Sequence, residues 1–153
     1  MMAKMTGQRL PVESTGDLGV EAIMRSGVRG APDVAALASL APGKAAVLVW
    51  HYHDDDVPGP DASVQLTVNG VPVSGEARVT HYRIDDTHSN AYAEWKRLGS
   101  PIAPTRQQYA QLEAAGRLGR LDARATVRLE RGTAAFSFAL PRQAVSLLIV
   151  EWP

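Results

Sequence analysis

The protein has 153 residues with no cysteine, sixteen basic residues against sixteen acidic ones, and 45% hydrophobic residues. That length fits one domain able to bury ~68–70% of its unfolded surface. A net charge of zero gives no long-range pull toward nucleic acid or anionic lipid, so neither partner is expected, and it does little to oppose self-association. The absence of cysteine rules out disulfides, thiol catalysis and Cys-ligated zinc, and leaves the compartment open.

Met1-Met2-Ala3-Lys4-Met5 has a lysine but no apolar core behind it, unlike a secretory signal. No apolar run reaches the ~18 residues of a membrane span, so a soluble protein of the bacterial cytoplasm or periplasm is expected. Met1 to Gly7 reads as the last turns of a helix stopped by Gly7. Leu10 to Glu13 is extended around Pro11. Asp17 is positioned to cap a short helix through Met24, with Gly27 as its stop.

Strand chemistry follows. Asp33 to Ser39 and Ala45 to His53 flank Ala41-Pro42-Gly43-Lys44, a turn with proline at its first corner and glycine at its second. They form a hairpin. Asp54 to Asp61 holds acids, two prolines and a glycine, and reads as a loop. Ser63 to Asn69 alternates, with Val64, Leu66 and Val68 on one face. Asn69-Gly70 turns the chain, and Arg78 to Ile84 alternates again.

Two helices interrupt the strands at about residues 89–116. Ser89 or Asn90 caps the first, which Gly99 ends. Thr105 caps the second, with Gln108 three residues on in a capping-box arrangement. Tyr92, Trp95 and Tyr109 sit at helical spacing, which suits packing better than a sugar-stacking platform. Thr126 to Glu130, Ala134 to Leu140 and Val145 to Trp152 complete about seven strands. Their short spacing predicts a mainly β protein: an antiparallel β-sandwich with a two-helix excursion.

Several segments then carry a resemblance. They are Val49-Trp50-His51-Tyr52-His53-Asp54-Asp55-Asp56, Thr80-His81-Tyr82-Arg83-Ile84-Asp85-Asp86-Thr87-His88-Ser89-Asn90-Ala91-Tyr92, and Leu140-Pro141-Arg142-Gln143-Ala144-Val145-Ser146. Gly7 to Val12 and Gly27 to Val34 match as well. Together they resemble the C-terminal part of a glycoside hydrolase family 39 β-xylosidase, with α-L-iduronidase more distant. His51 stands where the family usually has asparagine.

The resemblance implies a parent that performs retaining hydrolysis of β-1,4-xylosides and xylo-oligosaccharides, as in xylan degradation. Such a parent has a (β/α)8 barrel with two catalytic glutamates and a β-sandwich beside it. In that frame residues 1–9 are the remnant of the last barrel helix plus a linker, and residues 10–153 the sandwich. Part of the family's sandwich also comes from chain before the barrel. Retaining hydrolysis needs two carboxyls ~5–5.5 Å apart. Glu13, Glu21, Glu76, Glu94, Glu113, Glu130 and Glu151 match no catalytic motif of the family, so no catalytic residue and no cofactor is expected, and the chain alone is expected to be inactive. The implied partners are the parent's barrel and a second copy of the chain.

His53, Asp54, Asp55, Asp56, Arg83, Asp85 and His88 are the candidate site residues. They suit an active-site rim or a structural polar network. Two rival readings stay open. His51, His53 and His88 with the acids could ligate a metal, because alternate strand residues face one way. The module could also stand alone as a carbohydrate- or partner-binding domain, which an exposed coplanar row of aromatics would favour.

Overall fold

The computed structural model describes residues 1–121 and 125–153. It contains eight strands: β1 (Gln8–Leu10), β2 (Asp33–Ala41), β3 (Lys44–Tyr52), β4 (Ala62–Val68), β5 (Gly75–Ile84), β6 (Ala125–Leu129), β7 (Ala134–Leu140) and β8 (Ala144–Glu151). The helices are α1 (Val20–Ser26), α2 (Ala91–Arg97) and α3 (Arg106–Gly116). Six strands form an antiparallel sheet in the order β1-β2-β3-β8-β5-β6, and β4 pairs with β7 in a second sheet. The mainly antiparallel β architecture with its helical excursion is the expected one, with one strand more than expected.

The local signals explain most boundaries. Gly43 takes a positive φ of 68°, as the second corner of the β2–β3 turn demands. Asn90 caps α2 by accepting from the Ala93 N–H, and Thr105 and Gln108 close a reciprocal capping box on α3. Two boundaries differ from expectation. The N-terminal segment makes only a single 3-10 turn, Met2–Lys4, and the chain is already paired in the sheet at Gln8. Helix α1 starts at Val20, because the Asp17 carboxylate accepts from the Gly19 N–H at 2.7 Å and holds a turn ahead of the helix.

The main core lies between the sheets. Val47, Val49 and Val150 of the large sheet pack with Val68 and Leu140 of the small one, joined by Leu129, Val71 and Trp152. Each such side chain contributes about 1.5–3 kcal/mol. Strand β4 shows the alternation of a sheet with one wet face: Val64, Leu66 and Val68 turn inward while Ser63, Gln65 and Thr67 are exposed.

Strands β3 and β8 behave differently. Both are apolar on both faces and mostly buried. On the face away from the small sheet, Ala46, Leu48, Leu147 and Ile149 form a second cluster with Leu37, Tyr82, Val145, Met1 and Met5. Register adds Trp50 and Ile84 to that face, and both are only half-buried. Antiparallel sheets commonly leave one face to water and alternate accordingly. This one carries apolar side chains on both faces.

The α2–α3 pair buries no residue. The expectation that its aromatics are packed is corrected for two of them. Tyr92 is 60% exposed and Tyr109 is 66% exposed, because the helices pack on each other rather than on the sandwich. Gly116 and Ala91 mark the close approach, where a Cβ on Gly116 would meet the Ala91 Cβ at 3.2 Å. Trp95 is half-buried and donates its indole N–H to the Pro101 carbonyl.

Candidate functional site at one end of the large sheet

Register places all seven candidate residues at one end of the six-stranded sheet. His51 pairs with Ala144 and Ile84 with Val145, so the end of β3, the start of β8 and the end of β5 lie side by side. Two polar clusters are built there.

The first joins three segments that are far apart in sequence. Buried His53 meets the Arg29 carbonyl through Nε2 at 3.0 Å, and its Nδ1 accepts from the Asp55 N–H at 3.1 Å. The Gln143 amide donates to the His53 carbonyl at 2.6 Å and to the Asp55 carbonyl at 3.3 Å. Asp54 Oδ2 accepts from the Val28 N–H at 2.9 Å and lies 3.6 Å from Arg29 Nε. Gly27 makes this approach possible: its φ is 66°, and a Cβ there would sit 2.3 Å from Asp54 Oδ2. The Asp54 charge raises the Tyr52 phenol above its ordinary value, helped by partial burial and a hydrogen bond. Asp55 and Asp56 point to solvent.

This geometry engages His53 through both ring nitrogens but His51 through one, its buried Nε2 having no hydrogen-bond partner among the described residues. His51 is buried, and its Nδ1 donates to the Leu140 carbonyl at 2.9 Å. Among the described residues no three His, Asp or Glu side chains come together as metal ligands. His53→Ala removes the bridge between the Gly27–Gly30 loop and the Asp54–Asp56 loop. The expected cost is about 2 kcal/mol in urea unfolding, with faster proteolysis near Val57. An unchanged midpoint and cleavage pattern would refute that role.

The second cluster pins β5 to α2. The Asp85 carboxylate accepts from the Thr87 N–H at 2.8 Å, the Thr87 hydroxyl at 3.0 Å, the His88 N–H at 2.8 Å and His88 Nδ1 at 2.8 Å. Its main-chain N–H donates to the His88 carbonyl, and its carbonyl accepts from the Asn90 amide. Burial alone would raise its pKa. The Thr87 N–H, the His88 and Thr87 side-chain bonds and the His88 charge outweigh burial and lower it. Arg83 Nη1 lies 3.7 Å from Asp85 Oδ2, with both side chains buried.

Arg83 also reaches inward. Its Nε donates to the Ser146 hydroxyl at 2.7 Å, and Nη2 donates to the Ala139 carbonyl at 3.0 Å. His81 Nε2 shares a 2.9 Å hydrogen bond with the same hydroxyl, and its ring meets Phe138 edge-on at 5.1 Å. These groups border a cleft of about 510 Å³ between β5–β6 and β7, lined also by Val79, Val127 and Phe136. The two-stranded sheet is too narrow to cover the six-stranded one here.

Sequence reasoning missed Ser146, Gln143 and Asp33. Ser146 is the lone hydroxyl inside an apolar strand, opposite Arg83 in register, and that break in the pattern was its signal. Asp33 is buried and accepts from the Trp50 indole at 2.7 Å and the Leu18 N–H at 3.0 Å. Nothing local in the sequence marks that pairing.

Glu94, Glu113, Glu130 and Glu151 are spent on ion pairs with Arg97, Arg117, Arg128 and Arg78 in four separate places.

Comparison with known proteins accounts for the shared motifs. The family model described as "Glycosyl hydrolases family 39" matches residues 1–127. The chain belongs to glycosyl hydrolase family 39. Human α-L-iduronidase is 38% identical to this family 39 chain over 76 residues, which make up 47% of the chain and 11% of that protein. Among solved structures, a family 39 enzyme from Xanthomonas axonopodis pv. citri superimposes with a TM-score of 0.65 at 21% identity, over 76% of this chain and 25% of that one. A bacterial orthologue of human α-L-iduronidase gives 0.64 at 23% identity, over 78% and 22%. A monomeric β-xylosidase from Caulobacter crescentus CB15 gives 0.58 at 19% identity, over 76% and 26%. The family 39 chain thus shares their fold and spans about a quarter of the length of these solved relatives. No described helix is long and apolar enough to cross a membrane.

Proposed function

We propose that this chain is the non-catalytic β-sandwich part of a family 39 glycoside hydrolase, and that its work is structural: it packs against a catalytic (β/α)8 barrel and shapes the rim beside it. One observation carries the reading. The face of the large sheet that turns away from the small one is apolar, with Leu37, Leu48, Trp50, Tyr82, Val145 and Leu147 in one field, covered in part by Met1 and Met5. The centre of that face is already buried, with Leu147 at 0% and Leu48 at 8% exposure, and the half-exposed Leu37, Trp50, Tyr82 and Val145 around it are what would seat another protein layer. The open cleft beside β7 fits the further sandwich strand that the family takes from chain before its barrel.

The clamp around His53 and the pin around Asp85 then serve to fix loops at one end of that sheet, with Asp55 and Asp56 held outward as rim residues. The parent's activity on this reading is hydrolysis of β-xylosides, by likeness to the Caulobacter crescentus enzyme. Identity of 38% to human α-L-iduronidase favours a second reading, in which the parent acts as that enzyme does. Both readings give this chain the same structural part.

The test is assembly. The chain, mixed with the separately produced barrel of its parent, is expected to co-elute with it in a one-to-one complex on size exclusion. Leu37→Glu and Val145→Glu together are expected to abolish co-elution, because two charges would be buried without partners. Undiminished co-elution of the double variant would overturn this assignment of the docking face.

The stand-alone sugar-binding alternative has the exposure of Tyr92 and Tyr109 in its favour and the stacking of Tyr92 on Trp95 against it. Tyr92 stacks on Trp95 at 5.7 Å and carries the Lys96 ammonium 4.8 Å from its ring centre. Stacked rings do not form the coplanar row that a sugar face needs.

A further inference from the structure

We draw no further inference here: the strongest candidate, the exposed apolar side chains of Tyr92, Ile102 and Tyr109 on the α2–α3 helices and their connection, is an unpartnered surface, and nothing in the structure shows what covers it.

Discussion

Asp85→Ala is expected to lower the stability of the domain by about 3 kcal/mol, because it strips a buried arginine of an ionic partner and leaves local donors unmet. For a chain of this size that is a fall in Tm of roughly 6–12 °C. Four hydrogen bonds end on this one carboxylate, from two main-chain N–H groups and two side chains within three residues. Arg83 is buried beside it. The pH dependence follows from the lowered pKa of Asp85. A carboxylate with a depressed folded pKa contributes stability above its unfolded pKa. That contribution is lost as pH falls through the lower folded value. Asp85→Asn keeps the shape without the charge, so its urea midpoint should be lower at neutral pH and fall less steeply from about pH 5 downward. A loss below about 1 kcal/mol for Asp85→Ala, or parallel acid limbs for wild type and Asp85→Asn, would contradict the pin.

The second large effect concerns association. The isolated chain is expected to self-associate in light scattering, with apparent mass rising with concentration. Two features drive it: the half-buried apolar side chains on the outer face of the large sheet, and the position of β6 and β7 as edge strands beside the cleft among the described residues. The zero net charge offers little repulsion. Leu37→Glu with Val145→Glu should return the scattering mass to that of one chain. Both positions are only half-buried, so the Tm should change by no more than a few degrees. A wild-type chain that stays monomeric at high concentration would count against the docking face. So would association that persists in the double variant.

The elements legible in the sequence are those with local causes. The period-two pattern of Ser63 to Asn69 became β4, the proline–glycine corner became the β2–β3 hairpin, and Thr105 with Gln108 became a capping box. What was not legible depends on distant partners. β1 is three residues long, too short for any period, and exists through its ladder with β2. β4 pairs with β7 and β5 with β8, registers that no neighbouring turn dictates.

The same division runs through the site. The candidate residues stood out because their motifs resemble the family, but their roles came from contacts across the chain. His53 bridges to Arg29 and Gln143, at separations of 24 and 90 residues. Helical spacing aligned Tyr92 with Trp95 yet could not say whether anything covers them. The apolar outer face, by contrast, was written in β3 and β8, whose runs from Ala45 to Trp50 and from Leu147 to Val150 lack the polar alternation of a wet face.

On the proposed reading, the family's chemistry resides outside these residues. This is tested most directly by assaying this chain alone on p-nitrophenyl β-xyloside and on an aryl α-L-iduronide at high protein concentration. Release indistinguishable from buffer is expected on both. Turnover proportional to protein concentration, and abolished by replacing one of its seven glutamates with glutamine, would contradict it.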